Sequence, residues 1–76
     1  MKDFDYTNHV LKRCRQRDID LEQIKETVKS PDIILPGNQE NTVRVHRTLS
    51  PGKNLQVIYK ETSTKYRIIS AMWREE

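Results

Sequence analysis

The strongest constraint on the fold is a change in the spacing of apolar residues at Pro31. Before it, apolar side chains recur every three or four positions, and after it they alternate with polar ones. The first spacing is typical of an amphipathic helix and the second of a strand with one buried face. Pro31 separates the two parts because proline lacks a backbone N–H and restricts the residue before it. The sequence therefore predicts helices followed by strands, an α+β domain.

Two helices are predicted in the first part of the chain. The first covers residues 9–17 and follows Thr7, a residue type that caps helices well. The second runs from the Asp20 cap to about Lys29. Gln23 stands three residues after Asp20, a spacing that resembles a capping box. Both helices are short, so their stability is expected to come from packing against another element.

Four strands are predicted after the helices, covering residues 32–35, 42–49, 55–60 and 66–73. Neighbouring strands joined by short turns favour an antiparallel meander. We expect the two helices to pack on one face of this four-stranded, mostly antiparallel sheet and to leave the other face open. The chain has 76 residues, fewer than the roughly 100 to 150 of a typical domain. Residues 1–76 are therefore expected to form a single domain.

Several classes of protein are excluded by the composition. Apolar runs are at most three residues long, whereas a membrane helix needs about 20 and a secretory signal about 7 to 15. No membrane contact and a cytoplasmic location are therefore predicted. The single cysteine permits no internal disulfide, and together with the two histidines it forms no metal-ligand pattern. Two glycines cannot supply a glycine-rich phosphate loop, so neither a metal nor a cofactor is expected.

Basic residues are unevenly placed along the chain. Residues 41–74 contain seven Lys or Arg and a single acid, Glu61. A second basic cluster lies in residues 12–17. Such local excess is typical of proteins that contact phosphates, although the exposed faces of any soluble domain also carry Lys and Arg.

The first helix carries a polar stripe whose side chains could serve in catalysis or in ligand binding. His9, Arg13 and Arg17 are spaced by four, which places them on one side of the helix. Histidine exchanges a proton near neutral pH. A guanidinium group can donate two parallel hydrogen bonds to the oxygens of one phosphate. Polar stripes often face water only, so this pattern alone leaves both interpretations open.

A second candidate set lies on the strands. Arg44 and His46 share one face of the second predicted strand. Residues of the neighbouring strands that could approach them are Tyr59, Lys60, Arg67, Ser70 and Arg74. An exposed face with polar cross-strand pairs is the simpler interpretation of the same residues.

The order of these residues resembles two known groups. Residues 9–34, HVLKRCRQRDIDLEQIKETVKSPDII, resemble the opening of small bacterial and phage proteins that begin with a His-x-x-x-Arg-x-x-x-Arg helix. Residues 54–76 resemble that group and also the last strands of BrnT-type toxins, which carry a similar Arg-Ile-Ile-Ser-Ala run, here residues 67–71. The BrnT proteins have Lys-His-Gly after the first helix, where this chain has Arg17, Asp18 and Ile19.

The resemblance implies a RelE/BrnT-like fold and a function. The wider barnase, colicin and RelE group cleaves RNA without a metal ion, and its toxins are often neutralised by a cognate antitoxin. The partners implied are therefore RNA and an antitoxin protein. The small size also suggests that a partner, a dimer interface or tight packing of helices on the sheet contributes to stability. In this scheme the 2′-hydroxyl of RNA attacks the neighbouring phosphate.

The resemblance also implies roles for the candidate residues. His9 would act as general base or acid, with His46 or Tyr59 as the second proton carrier. Arg13, Arg17 and Arg44 would stabilise charge on the phosphate. RNA would be bound through Arg44, Lys60, Arg67, Ser70 and Arg74.

Two other functions fit the same sequence. A non-catalytic module could use the basic sheet face to bind RNA, DNA or an acidic peptide. An exposed sheet edge could instead pair with another chain, which would make the domain an adaptor.

Overall fold

The computed structural model describes residues 2–74, and in this range the chain forms two helices and a sheet of five strands. The elements are β1 (Asp3–Tyr6), α1 (Asn8–Arg17), α2 (Leu21–Lys29), β2 (Ile33–Pro36), β3 (Thr42–Ser50), β4 (Lys53–Glu61) and β5 (Lys65–Arg74). The predicted α+β class is confirmed, and each predicted helix and strand is present within two residues of its expected bounds.

The sheet has one strand more than the sequence predicted. Its order is β1-β5-β4-β3-β2, in which β1 runs parallel to β5 and the other pairs are antiparallel. The prediction of four strands is wrong because β1 is only four residues long and pairs with the far end of the chain. Its alternation of acid and aromatic residues, with Phe4 and Tyr6 facing inward, was the available signal.

Local sequence explains where the helices begin and end. Thr7 Oγ1 accepts a hydrogen bond from the N–H of Val10 at 3.1 Å, as an N-cap should. Asp18 ends α1 in the left-handed conformation, with φ 56°. At the start of α2, the Gln23 side chain accepts from the backbone N–H of Asp20 at 3.0 Å. These bonds satisfy backbone groups that a helix terminus leaves without intrahelical partners.

The core lies between the helices and one face of the sheet. Alternate residues of β3, β4 and β5 point into it, and those that are less than 1% exposed are Val45, Leu55, Val57 and Ile68. From the helices, Val10 and Ile24 are equally well buried. The side chains between these core residues point to the other side of the sheet and form the open face. From the pairing of the strands, this face carries Arg44, His46, Gln56, Ile58, Ser70 and Arg74.

Helix α1 covers part of the edge of β5. The parallel strand β1 pairs with β5 only as far as Ile68. Beyond that point, Arg17 Nη1 donates to the Ala71 carbonyl at 2.8 Å, and Trp73 Nε1 donates to the Arg17 carbonyl at 2.6 Å. The Arg17 side chain therefore satisfies an edge carbonyl that no strand reaches.

Between residues 2 and 74, no helix has the length and apolar character needed to cross a bilayer.

Candidate active site

A small pocket lies where α1 meets the edge of β5. It has a volume of about 110 Å³ and is lined by His9, Val10, Arg13, Arg17, Ile69, Ser70 and Ala71. The whole predicted helix stripe therefore lines one pocket. Of the strand residues proposed from the sequence, Ser70 alone among residues 2–74 joins it.

The fold positions the helix part of this pocket through packing. Val10 and Cys14 are buried against the sheet, which fixes the rotation of α1 about its axis. His9 and Arg13 then lie one position before these buried residues and remain exposed. Arg17 is half-buried and anchored to the Ala71 carbonyl. The pocket thus has one fixed guanidinium and one that is free to adjust to a ligand.

A bulge in β5 shapes the strand side. Tyr59 pairs with Ile68 and Ile58 pairs with Ser70, so one step along β4 corresponds to two along β5. Ile69 is the additional residue. A bulge bends its strand and redirects the neighbouring side chains, and bulges are frequent next to active sites. Here it lies where the stripe on α1 meets the strand.

The pocket is strongly cationic. Its lining contains two guanidinium groups, an imidazole and a hydroxyl group, and no acidic side chain among residues 2–74 contributes to it. In the same part of the chain, neither His9 nor Arg13 has a side-chain hydrogen bond or ion pair. The first turn of α1 also contains no acid. An anion is therefore the ligand that the pocket suits best.

A second cavity lies on the open face of the sheet, about 220 Å³ in volume. It is lined by Asp32, Ile33, His46, Arg47, Thr48, Asn54 and Arg74. The sequence predicted His9 together with His46 or Tyr59 as the two proton carriers of one reaction, which would require them to lie in the same cleft. The structure instead places His9 and His46 in two cavities that share no lining residue.

His46 is enclosed by its neighbours in this second cavity. Its side chain is 9% exposed, and its Nε2 lies 3.0 Å from Gln56 Oε1. Arg74 Nη1 lies 3.0 Å from Nδ1 and 2.9 Å from Nε2. Because the two ring nitrogens point in different directions, a guanidinium nitrogen that is equally close to both lies over the face of the ring. The long Arg74 side chain reaches across β4 to make this contact.

The surroundings of His46 favour its neutral form. Burial lowers the pKa of the imidazole, and the positive charges of Arg74 and Arg44 lower it further, while the hydrogen bond to Gln56 acts in the opposite direction. A histidine with a lowered pKa is uncharged at neutral pH. His46 can therefore contact a guanidinium without repulsion between two cations.

The other predicted residues are distributed over the sheet. Tyr59 is 7% exposed and packs edge to face with Tyr66 in the core, on the face opposite His46, and burial raises the pKa of its phenol. Lys60 on β4 and Arg67 on β5 are paired across the two strands, and both are exposed. Arg67 Nε donates to Asp5 Oδ2 at 3.2 Å. The structure thus places Tyr59 away from both cavities.

Sequence reasoning missed part of the second cavity. Gln56, Asn54, Thr48 and Asp32 were not singled out, although each contacts a predicted residue or lines the cavity with one. The alternation of β4 was the available signal for Gln56, because it faces the same way as Asn54 and pairs with His46.

Within residues 2–74 no group of three His, Cys, Asp or Glu side chains is arranged to hold a metal ion.

Comparison with known proteins gives a family and a fold. The family described as "Domain of unknown function (DUF4258)" matches residues 6–73. The crystal structure of the Brucella abortus ribonuclease toxin BrnT is similar to this chain, with a TM-score of 0.76 and 13% sequence identity over 100% of both chains. No curated protein matches the sequence significantly. The structural similarity confirms a BrnT-like fold.

Proposed function

The chain belongs to the DUF4258 family, and from its BrnT-like fold and the pocket between α1 and β5 we propose that it is a toxin-type endoribonuclease. The observation that carries the proposal is the composition of that pocket. One imidazole, two guanidiniums and one hydroxyl group converge on a space without an acidic lining residue among residues 2–74. Phosphoryl chemistry needs a proton acceptor and positive charge held at the phosphate, and these groups provide both.

RNA itself supplies the nucleophile in this reaction. His9 takes the proton of a 2′-hydroxyl, the 2′ oxygen forms a bond to the adjacent phosphorus, and the bond to the 5′ oxygen breaks. Solvent water donates a proton to the departing 5′ oxygen. The products are a 2′,3′-cyclic phosphate and a 5′-hydroxyl. The second proton carrier predicted from the sequence is not assigned, because Tyr59 lies in the core and His46 lines the other cavity.

The two guanidiniums have different tasks in the proposal. Arg17 is held by the Ala71 carbonyl at 2.8 Å, so its remaining N–H groups form a fixed donor set beside the phosphate. Arg13 is exposed and follows the phosphate as charge grows on its non-bridging oxygens. A preorganised donor of this kind is worth roughly 10²- to 10³-fold in rate in well-studied oxyanion sites. Ser70 contributes a neutral hydrogen bond.

The basic open face would bind the rest of the RNA strand. Arg44, Lys60 and Arg67 lie on that face by register and are well placed for phosphate contacts. We propose RNA as the substrate and an antitoxin protein as the partner that blocks it. Dimer formation and a cytoplasmic location stay predictions from the sequence.

The proposal is tested by incubating the purified protein with single-stranded RNA in the presence of EDTA. We expect cleavage to persist, and the products to carry 2′,3′-cyclic phosphate and 5′-hydroxyl ends, because the 2′ oxygen is the attacking group. The ends are identified by mass spectrometry. A DNA strand of the same sequence serves as the control and should stay intact. Cleavage of that DNA, or loss of RNA cleavage on chelation, would contradict the proposal.

A binding module without cleavage is the second candidate. It is favoured by the enclosed position of His46, since a side chain that is 9% exposed and covered by Arg74 serves more readily as a fixed surface than as a proton acceptor. Under this alternative, wild-type protein would bind RNA with a strong dependence on salt and leave it intact.

A further inference from the structure

The second cavity, on the open face, is not used by the proposed reaction. Its lining combines a buried imidazole, a guanidinium in contact with it, an exposed isoleucine, a carboxylate and an amide. We infer that this cavity binds a nucleobase, with guanine as the best match, of the RNA strand that is cleaved at the α1–β5 pocket. The inference rests on the proposed function, and it adds a base preference to the substrate.

A flat and partly apolar wall is the first requirement for a base subsite. Arg74 lies over the His46 ring, and the guanidinium is itself planar. Ile33 is 51% exposed at the rim of the cavity. Proteins bind unpaired RNA bases by stacking them on aromatic rings or guanidinium planes. The outer face of Arg74 and the Ile33 side chain provide such a wall.

Groups that read the edge of the base are the second requirement. Asp32 Oδ2 accepts from the Thr48 N–H at 2.9 Å, which fixes the carboxylate at the cavity and leaves Oδ1 as an acceptor, 3.9 Å from Arg47 Nη1. Asn54 Oδ1 accepts from the Thr48 hydroxyl at 2.6 Å, so the amide NH₂ remains as a donor. Thr48 thereby orients both reading groups.

This set of donors and acceptors matches guanine. Guanine presents the acceptors O6 and N7 beside the donors N1–H and N2–H₂. The Asp32 carboxylate can accept from the two donors, while the Asn54 amide donates to O6. Cytosine and adenine place an amino donor where guanine has O6, which would set two donors against each other.

The two cavities are close enough for one short strand of RNA. His46 and Ser70 lie on β3 and β5, two strands apart, and Ser70 is two residues from Met72, which occupies the same cross-strand row as His46. Strand spacings of about 4.8 Å and a rise of about 3.3 Å per residue place them roughly 12 Å apart. The base that is read therefore belongs to a nucleotide near the cleaved bond.

The test is a cleavage assay on a pool of random single-stranded RNA, with sequencing of the products. Wild-type protein should enrich guanine at one fixed position relative to the cut. In Asn54→Ala and Asp32→Asn this enrichment should fall by about 10- to 100-fold, since each good base contact contributes discrimination of that order. Asn38→Ala, an exposed loop residue outside the cavity, is the matched control and should retain the preference. Thermal unfolding shows whether each variant is folded.

A direct titration separates failure of this inference from failure of the proposed function. Guanosine and cytidine 5′-monophosphates are added to ¹⁵N-labelled protein, and we expect guanosine monophosphate to shift His46 and Asn54 signals at lower concentration. Shifts of this kind support the base subsite even if no RNA is cleaved. Random cleavage by the wild type, an unchanged preference in the two variants, or no difference between the nucleotides at these residues would overturn the inference.

Discussion

Replacing His9 with alanine lowers the rate of RNA cleavage by about 10²- to 10⁴-fold, the usual contribution of a positioned acid or base. The reason is that the imidazole lines the α1–β5 pocket together with the two guanidiniums and Ser70 and can accept a proton there. The affinity for RNA should change little, because the phosphate contacts through Arg13 and Arg17 remain. Single-turnover cleavage of a labelled RNA and a binding titration measure the two effects separately.

The matched control for this variant is Lys12→Ala on the same helix. Lys12 is exposed, carries a positive charge and does not line the pocket. We expect the catalytic rate of Lys12→Ala to stay within a few-fold of the wild type. The His9 variant should be as stable as the wild type, because His9 is exposed and alanine is a good helix former. Equal loss of cleavage in both variants would indicate a general effect of α1 rather than proton transfer by His9.

Ile68→Ala should lower the free energy of unfolding by about 2 to 5 kcal/mol, the range for removing a large apolar side chain from a core. Ile68 is fully buried, and it lies where β5 is flanked by β1 and by β4. A loss of this size is a large fraction of the total stability of a small domain. Urea denaturation followed by circular dichroism measures it.

Ile58→Ala is the matched control, since the residue type is the same and the position is on the open face. Ile58 pairs with Arg44 and Ser70 and is half-buried there. Its replacement should cost clearly less stability, because the small side chain leaves no enclosed cavity behind. A larger loss in Ile58→Ala than in Ile68→Ala would mean that the assignment of the covered and open faces is reversed.

Much of the fold could be predicted because its signals are local. The caps at Thr7 and Asp20 mark helix starts, and the change of apolar spacing at Pro31 marks the passage to strands. Strand β1 escaped prediction because its pairing with β5 joins the two ends of the chain. Which sheet face is covered was also open, because Ile58 competes with the alternation of Leu55, Val57 and Tyr59.

The candidate site was predictable in part for the same reason. A spacing of four along a helix is a local geometric fact, so His9, Arg13 and Arg17 were expected to lie together, and they do. The separation of the two histidines depends on which sheet edge α1 covers and on the bulge at Ile69. Neither feature has a local signature, and the contact between Arg74 and His46 joins residues 28 positions apart.

The central claim is that the α1–β5 pocket holds the phosphate that is cleaved. The most direct measurement is a titration of ¹⁵N-labelled protein with an RNA oligonucleotide methylated at every 2′ oxygen, which can bind but cannot be cut by its own hydroxyl. The account predicts that the signals of His9, Arg13, Arg17 and Ser70 shift together as the complex forms. Binding that leaves these four residues unchanged and shifts only other parts of the surface would contradict it.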